Sequence, residues 1–351
     1  MNGSIVRRMN IVDLFPQLQE LLTRLNKTIL VGDIGGTNTR LALFDPPQNE
    51  VQMGNFATEE ISNLEDTIKH FLEFLNFDGM QIDRIILGVA GLINEDELTV
   101  QLTNANLFID GNAVQKRFGP SIFRFINDLD AVMYAAAQLR VGRETDLIFG
   151  KALTGNLKRY TTLAVACSTG AGAGVWLPES RQSVGPARVI APENGHMSCC
   201  HLPQGIRSSV AELLRKPDFA LTYEDILSGA GVVRLYLAFG GEEHLAVQEV
   251  MVQSEDPEHR AACAAVELWA QSLGSFLRDL TLAYNAERII LMGSVNEKNI
   301  SVLKRHAAQV KERLTGDPGH IFQLGHMSVE VVTGEHLGLH YGFQLAADLD
   351  H

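Results

Sequence analysis

The chain has 351 residues, 46% of them hydrophobic and 20% charged, at a formal net charge of -13, so it has the apolar material for one large or two medium globular domains. That acidic balance argues against nucleic acid and anionic membrane as partners, because either needs a basic face to displace counterions, and no apolar run reaches the ~18 residues of a membrane span. Four cysteines, at 167, 199, 200 and 263, are too few for a disulfide framework and are expected to be thiols in a reducing cytoplasm.

Residues 1–27 are expected to form a helical extension. Ile11, Leu14, Leu18, Leu21, Leu22 and Leu25 recur at three- and four-residue spacing, with Asp13 as cap and Pro16 in the first turn. The Arg7-Arg8 pair has no long apolar run behind it, so no signal peptide is expected. The apolar stripe can dock on its own domain or make a subunit contact in a homodimer, and the residues leave both uses open.

Thr28–Val31 and Arg40–Phe44 read as two strands joined by a glycine-rich turn from Gly32 to Asn38, with a third strand at Val51–Phe56. Ser62 and Glu65 form a capping box ahead of a helix whose apolar face is Leu64, Ile68, Phe71, Leu72 and Leu75. Arg84–Ala90 has the continuous apolar character of a strand buried on both faces. It is followed by a strand at Leu98–Leu102, a short helix at Ile109–Phe118, a strand at Ile122–Ile126 and a helix at Ala131–Leu139. The order then repeats. Thr161–Ala166, a turn at Cys167–Gly174 and Val175–Leu177 are again strand, glycine turn and strand, and Ile289-Ile290-Leu291-Met292-Gly293 echoes Ile85-Ile86-Leu87-Gly88. Asp256-Pro257-Glu258 opens a long helix to about Asn285, Val329–Val332 is a last strand and His336–Ala347 a last helix. This echo predicts a duplicated α/β fold, two lobes around a cleft, with residues 28–137 and 336–351 in a small lobe and 138–335 in a large one.

The first turn is a candidate phosphate clamp. Gly35 and Gly36 let backbone amides approach an anion, and Thr37 and Asn38 add side-chain donors. Asp33 would repel a bare phosphate, so an acid at the lip of this turn points to a divalent cation, as Mg2+ with retained waters bridges carboxylate and phosphates. A glycine-rich hairpin without a ligand satisfies the same residues, and the motif alone leaves the two readings even. Asn127-Asp128 close an expected strand, where open α/β sheets place ligand-contacting residues. A carboxylate there can take the proton of a hydroxyl that attacks phosphorus, or the pair can merely cap the next helix. Glu193, His196 and Glu224 are acceptors that can converge on one polyol, or they are solvated loop and helix residues.

Taken in order, Gly32-Asp33-Ile34-Gly35-Gly36-Thr37-Asn38, Leu102-Thr103-Asn104, Ile126-Asn127-Asp128, Ser168-Thr169-Gly170, Glu193-Asn194-Gly195-His196, Glu224 ahead of Leu227-Ser228-Gly229, and Leu291-Met292-Gly293 resemble a bacterial-type glucokinase of the hexokinase and actin-like ATPase superfamily, over most of residues 28–345. The resemblance implies duplicated ribonuclease H-like domains, ATP and Mg2+ as cofactors, and glucose or a related hexose phosphorylated at its 6-hydroxyl. It makes Asp128 the general base and places Thr103, Asn104, Asn127, Glu193, His196 and Glu224 on the sugar. It gives the phosphates to Gly32, Asp33, Ile34, Gly35, Gly36, Thr37 and Asn38, with Asp33 holding Mg2+ through water, and assigns Thr169, Gly170, Gly293 and Ser294 to the nucleotide. The chain departs from the family pattern at Ala105 and Asn106, at Cys167 and Ser168, at Ser294 in place of a second glycine, and at Asn194 in place of a glycine, asparagine being more tolerant of a left-handed backbone than most residues.

His196, Cys199, Cys200 and His201 invite a zinc reading, against which stand their adjacency and the missing Cys-x-Cys spacing. No Gly-Lys-Ser/Thr ends a glycine loop and no protein-kinase set occurs, which excludes those ATP-binding architectures. The leading expectation is an ATP-dependent hexose kinase whose two lobes close on the sugar. The alternatives are a kinase for another hexose or an amino-sugar, and a non-catalytic sugar sensor. Against the sensor, residues 1–27 are too short and too little basic for the DNA-binding domain of repressor relatives, and Asp33 and Asp128 are both retained.

Overall fold

The strands of the first half are β1 (Ile5–Asn10), β2 (Ile29–Ile34), β3 (Asn38–Asp45), β4 (Glu50–Ala57), β5 (Arg84–Val89), β6 (Gly91–Asn94), β7 (Thr99–Leu102), β8 (Phe108–Asp110) and β9 (Ile122–Asn127); those of the second are β10 (Thr145–Gly150), β11 (Thr162–Cys167), β12 (Ala171–Leu177), β13 (Arg188–Ile190), β14 (Arg288–Met292) and β15 (Ser328–Val332). The computed structural model describes residues 5–10, 19–77, 82–103, 105–137, 139–178, 188–190, 192–199, 201–241, 245–316, 327–333, 339, 342–343 and 345, without side chains at 5–10, 19–21 and 128–130. The chain divides into two compact units, Met1–Ala135 with Glu335–His351, and Ala136–Gly334.

One sheet of the first unit runs β1-β4-β3-β2-β5-β9, and the sheet of the second runs β10-β15-β14-β11-β12-β13. β2, β5 and β9 are parallel, with β3 antiparallel to β2 and β4 antiparallel to β3. β11, β14 and β15 are likewise parallel, with β12 antiparallel to β11 and β13 antiparallel to β12. With the added edge strands β1 and β10 set aside, both sheets follow the order third, second, first, fourth, fifth. The expected duplication is therefore present strand for strand, as the ribonuclease H-like repeat of the actin-like ATPase fold. The central strands explain it: ILVGDI and RIILGV are buried at every position except Asp33, the pattern of parallel strands covered on both faces.

Helices supply the cover. In the first unit Leu64–Phe74 buries Leu64, Ile68, Phe71 and Leu72 against Leu30, Leu41, Leu43 and Ile85. Its cap is Asn63 and not Ser62, because the Asn63 side-chain oxygen reaches the Asp66 amide at 2.8 Å. The expected helix at Ile109–Phe118 begins later, at Gly111, since Ile109 belongs to β8 and Asp110 caps the amides of Asn112 and Ala113. In the second unit the long helix is Arg260–Tyr284, ended by Asn285 in the left-handed conformation at φ 52. Asp256 does not cap it, because Asp256 and Pro257 form a separate turn that His259 follows. No helix among the described residues is long and apolar enough to cross a membrane.

The N-terminal extension is not helical throughout. Ile5–Asn10 pairs antiparallel with β4, from Ile5 opposite Asn55 to Asn10 opposite Glu50, and its Arg7-Arg8 pair suits an edge strand, where charge discourages further pairing. Gln19–Leu25 is helical, and Leu22 is buried among Ile29, Val31, Phe44 and Phe343, so this helix docks on its own unit. Asp13 and Pro16 lie outside the described residues. Of the expected last helix, Leu339, Gly342, Phe343 and Leu345 are described and are helical, with Leu339 and Phe343 buried in that same cluster.

Candidate active site

The candidate clamp in the first unit is built by register. Ile34 pairs with Val89 and Val89 with Asn127, so the C-terminal ends of β2, β5 and β9 are level. With neighbouring strands about 4.8 Å apart, the Gly35 turn and Asn127 are separated by about 10 Å along one sheet edge. Thr103 joins them through the chain of bonds Ala90 N to Ile34 O and Thr103 N to Ala90 O, at 3.0 and 3.1 Å. Asp33, the turn, Thr103, Asn127 and the start of the helix Asp128–Ala136 thus share one edge. The side chain of Asp128 and all of Asn104 lie outside the described residues.

The turn itself is held from behind. Thr58 Oγ1 donates to the Gly35 carbonyl at 2.8 Å, so in its 3.0 Å contact with Thr39 Oγ1 the Thr39 hydroxyl must be the donor. The Gly35 amide bonds the Asn38 carbonyl at 3.0 Å and the Thr58 amide bonds the Thr37 carbonyl at 3.0 Å. Gly32 serves packing beneath the clamp, since a Cβ there would meet Leu87 Cδ2 at 2.7 Å, and the Ile34 side chain is buried. Asp33 is partly buried and takes Arg40 Nη1 on Oδ2 at 3.0 Å. Its second oxygen carries no bond among the described residues, and no group of three His, Cys, Asp or Glu side chains comes together there or elsewhere among them. A single half-engaged carboxylate beside the glycine turn is compatible with a Mg2+ that keeps most of its waters.

The second unit holds a cavity of about 350 Å³. Ala230, Val233, Val247 and Val295 give it apolar walls, while Ser168, Thr169, Gly229 and Ser294 give it a polar end. The expected turn at Cys167–Gly174 is shorter than its glycines suggested, for only Ser168, Thr169 and Gly170 lie between β11 and β12. The Ser168 amide donates to the Gly170 carbonyl and the Ser168 carbonyl accepts the Gly229 amide, both at 2.8 Å, which fixes the turn to the first residue of the helix Gly229–Ala238. Cys167 is fully buried, and burial pushes its thiol up to about 12, so it is a packing residue. Gly293 has φ +84, and a Cβ there would lie 2.5 Å from the Cys167 carbonyl oxygen. Gly293→Ala is expected to raise the KM for nucleotide roughly tenfold or more, one decade being 1.4 kcal/mol and left-handed strain alone costing about 1–3 kcal/mol. Initial rates at saturating sugar measure it, and an unchanged nucleotide KM would remove Gly293 from the site.

The segments that carry Glu193, His196 and Glu224 converge on Ala171, through Gly195 and through Glu224 itself. Asn194 is the anchor: its Oδ1 accepts the Ala173 amide at 2.7 Å and its Nδ2 donates to the Ala173 carbonyl at 2.8 Å. Asn194 does not use the left-handed backbone that asparagine tolerates, and its side chain pairs with β12 like an added strand residue. Gly195 seats against the Ala171 carbonyl so closely that a Cβ would lie 1.8 Å from it. Glu193 and His196 project outward, both exposed, with Oε2 and Nε2 3.8 Å apart. Residues 197–199 run antiparallel to 221–223 through Tyr223 N to Met197 O and Cys199 N to Leu221 O, at 3.0 and 2.9 Å, which brings Glu224 beside the same loop. There Glu224 Oε2 accepts the Ala171 amide at 3.1 Å. Ala171 and Asn194 organise this cluster, and neither was legible as a hub, because Ala171 acts through its backbone.

Among the described residues, the candidate zinc ligands form no metal-holding group. His196 faces outward, Cys199 Sγ lies 3.8 Å from His201 Nε2, and Cys200 lies outside the described residues. His201 packs on Tyr223 with ring centroids 5.7 Å apart, and burial, aided by Arg313, pulls its imidazole down to about 4. Unfolded histidine titrates near 6.5, so between these values the unfolded chain binds more protons and stability falls as pH drops through the window. His201→Phe is expected to flatten the fall in Tm between pH 6.5 and 4, measured by thermal melting against the parent; parallel curves would contradict the assignment.

The glucokinase family model matches residues 30–348. A glucokinase of Rhizobium leguminosarum bv. trifolii is 27% identical over 297 residues, with 79% of this chain and 80% of that protein covered. A Balamuthia mandrillaris glucokinase solved with glucose superposes at TM-score 0.77 with 20% identity, covering 95% of this chain and 99% of that one. A ROK family glucokinase of Streptomyces griseus solved with glucose and AMPPNP superposes at 0.60 with 18% identity, covering 91% and 98%. With a match over most of its length and the repeat topology already described, the chain belongs to the glucokinase family.

Proposed function

We propose that this ATP-dependent glucose kinase transfers the γ-phosphoryl group to the 6-hydroxyl of glucose, with Asp128 as general base. The observation that supports this most directly is the register Ile34, Val89, Asn127, which levels the Gly35 turn with the strand end that leads into Asp128. Asn127 and Thr103 orient the sugar hydroxyls, and the Asp128 carboxylate takes the proton of the attacking oxygen as the phosphorus–oxygen bond forms. The Gly36 amide, with Thr37 and Asn38, holds phosphate oxygens, the Gly35 amide being closed onto the Asn38 carbonyl instead of facing an anion as expected, and Ser168, Thr169, Gly170, Gly293 and Ser294 hold the nucleotide over the apolar walls of the cavity. Asp33 would hold Mg2+ through water, and the ion would neutralise charge that develops on the phosphates.

Glu193, His196 and Glu224 accept hydrogen bonds from the remaining sugar hydroxyls. Glu193→Gln is expected to raise the glucose KM about tenfold, because charged hydrogen bonds contribute about twice as much as neutral ones, while the nucleotide KM holds; a glucose KM that does not move would take Glu193 off the sugar. A cytoplasmic setting belongs to the same proposal, since Cys167 and Cys263 are free thiols and ATP is the donor. The readings as an amino-sugar kinase or as a non-catalytic sensor are not favoured by the family match. Phosphorus-proton NMR of the product tests the regiochemistry: coupling of phosphorus to the two protons on C6 is expected, and coupling to a ring proton would overturn the assignment of Asp128 to the 6-hydroxyl.

A further inference from the structure

We propose that Glu224 couples hexose binding to nucleotide binding, holding the second phosphate turn with one carboxylate oxygen while offering the other to the sugar. This rests on the reading of Glu224 as a sugar ligand and goes beyond it, because it gives the same carboxylate a second duty.

The geometry is local to the second unit. Glu224 Oε2 accepts the Ala171 amide at 3.1 Å, and the same oxygen would lie 2.6 Å from a Cβ placed on Gly170. The carboxylate is therefore seated against the last residue of the turn, and any side chain at 170 would displace it. That turn is closed by the Ser168 to Gly170 bond and tied by the Ser168 carbonyl to the Gly229 amide, each 2.8 Å, where Ser168 and Gly229 line the 350 Å³ cavity. On its other side Ala171 carries the loop of Glu193 and His196, through the contact of Gly195 with its carbonyl. One residue thus separates the sugar-facing loop from the phosphate-facing turn, and Glu224 is the charged group bonded to it.

The scaffold behind Glu224 is rigid. Asp225 takes Lys216 Nζ on both oxygens at 2.9 and 3.0 Å and closes a capping box with Thr222. This fixes the backbone of residue 224 and leaves its side-chain torsions as the free variable. Oε1 carries no hydrogen bond among the described residues. A sugar hydroxyl donating to Oε1 would lock those torsions, so the start of β12 and the turn before it would be ordered before the nucleotide arrives. Ordering paid for by the first ligand is not paid again by the second, which gives positive cooperativity without a change of fold. By linkage, the nucleotide must tighten the sugar by the same factor.

Calorimetric titration of the full chain with AMPPNP and Mg2+, without glucose and with glucose at saturation, reads that factor directly. In the parent protein glucose is expected to tighten AMPPNP about 5- to 150-fold, the usual span of coupling between sites. Glu224→Ala is expected to bring the factor below about 2 even when glucose is raised to saturate the variant, with Glu224→Gln, which keeps a neutral acceptor, in between. Glu193→Gln serves as the control, expected to weaken glucose while keeping the parent factor. Melting temperatures show whether Glu224→Ala is folded, and Glu224→Gln carries the test if it is not. A parent factor near 1, or a parent-like factor in both Glu224 variants, would overturn the proposal. Loss of coupling in variants that bind glucose alone as tightly as the parent would refute the sugar contact specifically, and with it the route proposed.

Discussion

Asp128→Asn is expected to lower kcat by about 10²-fold or more while leaving glucose affinity within a few-fold of the parent. The scale is that of a general base, whose removal leaves positioning and charge neutralisation in place. Asp128 is the first residue of the helix that follows β9, level with the clamp because Asn127 is in register with Val89 and Val89 with Ile34. Asparagine preserves a helix-capping side chain, so a collapse in kcat without loss of stability would separate proton transfer from the plain capping role that the same position also suits. Near-normal kcat in Asp128→Asn would remove the general-base assignment. Rapid-quench turnover at saturating ATP and glucose is the measurement, because it reports the phosphoryl-transfer step before product release.

Arg288→Met is expected to cost about 3–5 kcal/mol of stability, the usual penalty for leaving one partner of a buried ion pair alone, and so to lower Tm by about 10 °C in a unit of this size. Arg288 and Glu330 are each 1% exposed. Glu330 accepts from Arg288 Nε at 2.9 Å, Arg288 Nη2 at 2.6 Å, Thr145 Oγ1 at 2.8 Å and Ser328 Oγ at 2.8 Å, so all its acceptor capacity is used. Arg288 further donates to the carbonyls of Ala136, the last residue of the helix that Asp128 begins, and of Leu139 beyond it. Pairing Arg288→Met with Glu330→Leu is expected to restore part of the loss and not all of it, since those two carbonyls stay without their donor. Thermal melting of both variants decides it; a single variant within 2 °C of the parent would show that the pair carries no such weight.

Fold and site were legible to different depths for physical reasons. Apolar runs such as Ile85-Ile86-Leu87 and Ile289-Ile290-Leu291 announce buried parallel strands by composition alone, and the glycine turns that precede β3 and β12 announce the repeat. The two added edge strands were not legible: Ile5–Asn10 carries two arginines, and Thr145–Gly150 is pinned through Thr145 and Glu330, a contact across 185 residues that no local pattern records. Cap identity shifted by one residue at Asn63 because Ser62 and Asn63 both have capping side chains and only geometry selects between them. In the site, residues that act through side-chain chemistry, such as Asp33 and Glu193, were recognisable by type. Ala171, whose amide and carbonyl join the Glu224 and Gly195 contacts, was not, because a backbone role leaves no signature in an alanine. Glu224 was read as a sugar acceptor, while its bond to the Ala171 amide depends on strands that meet only in the folded unit.

The central claim is tested most directly by ADP release from MgATP across a panel of hexoses, including glucose, mannose, fructose, glucosamine and N-acetylmannosamine, each compared by kcat/KM. Glucose is expected to give the highest value, with release well above the sugar-free rate and abolished by a chelator. A panel in which glucose adds nothing to the sugar-free rate, or in which an amino-sugar exceeds it tenfold, would contradict the assignment of this chain as a glucose kinase.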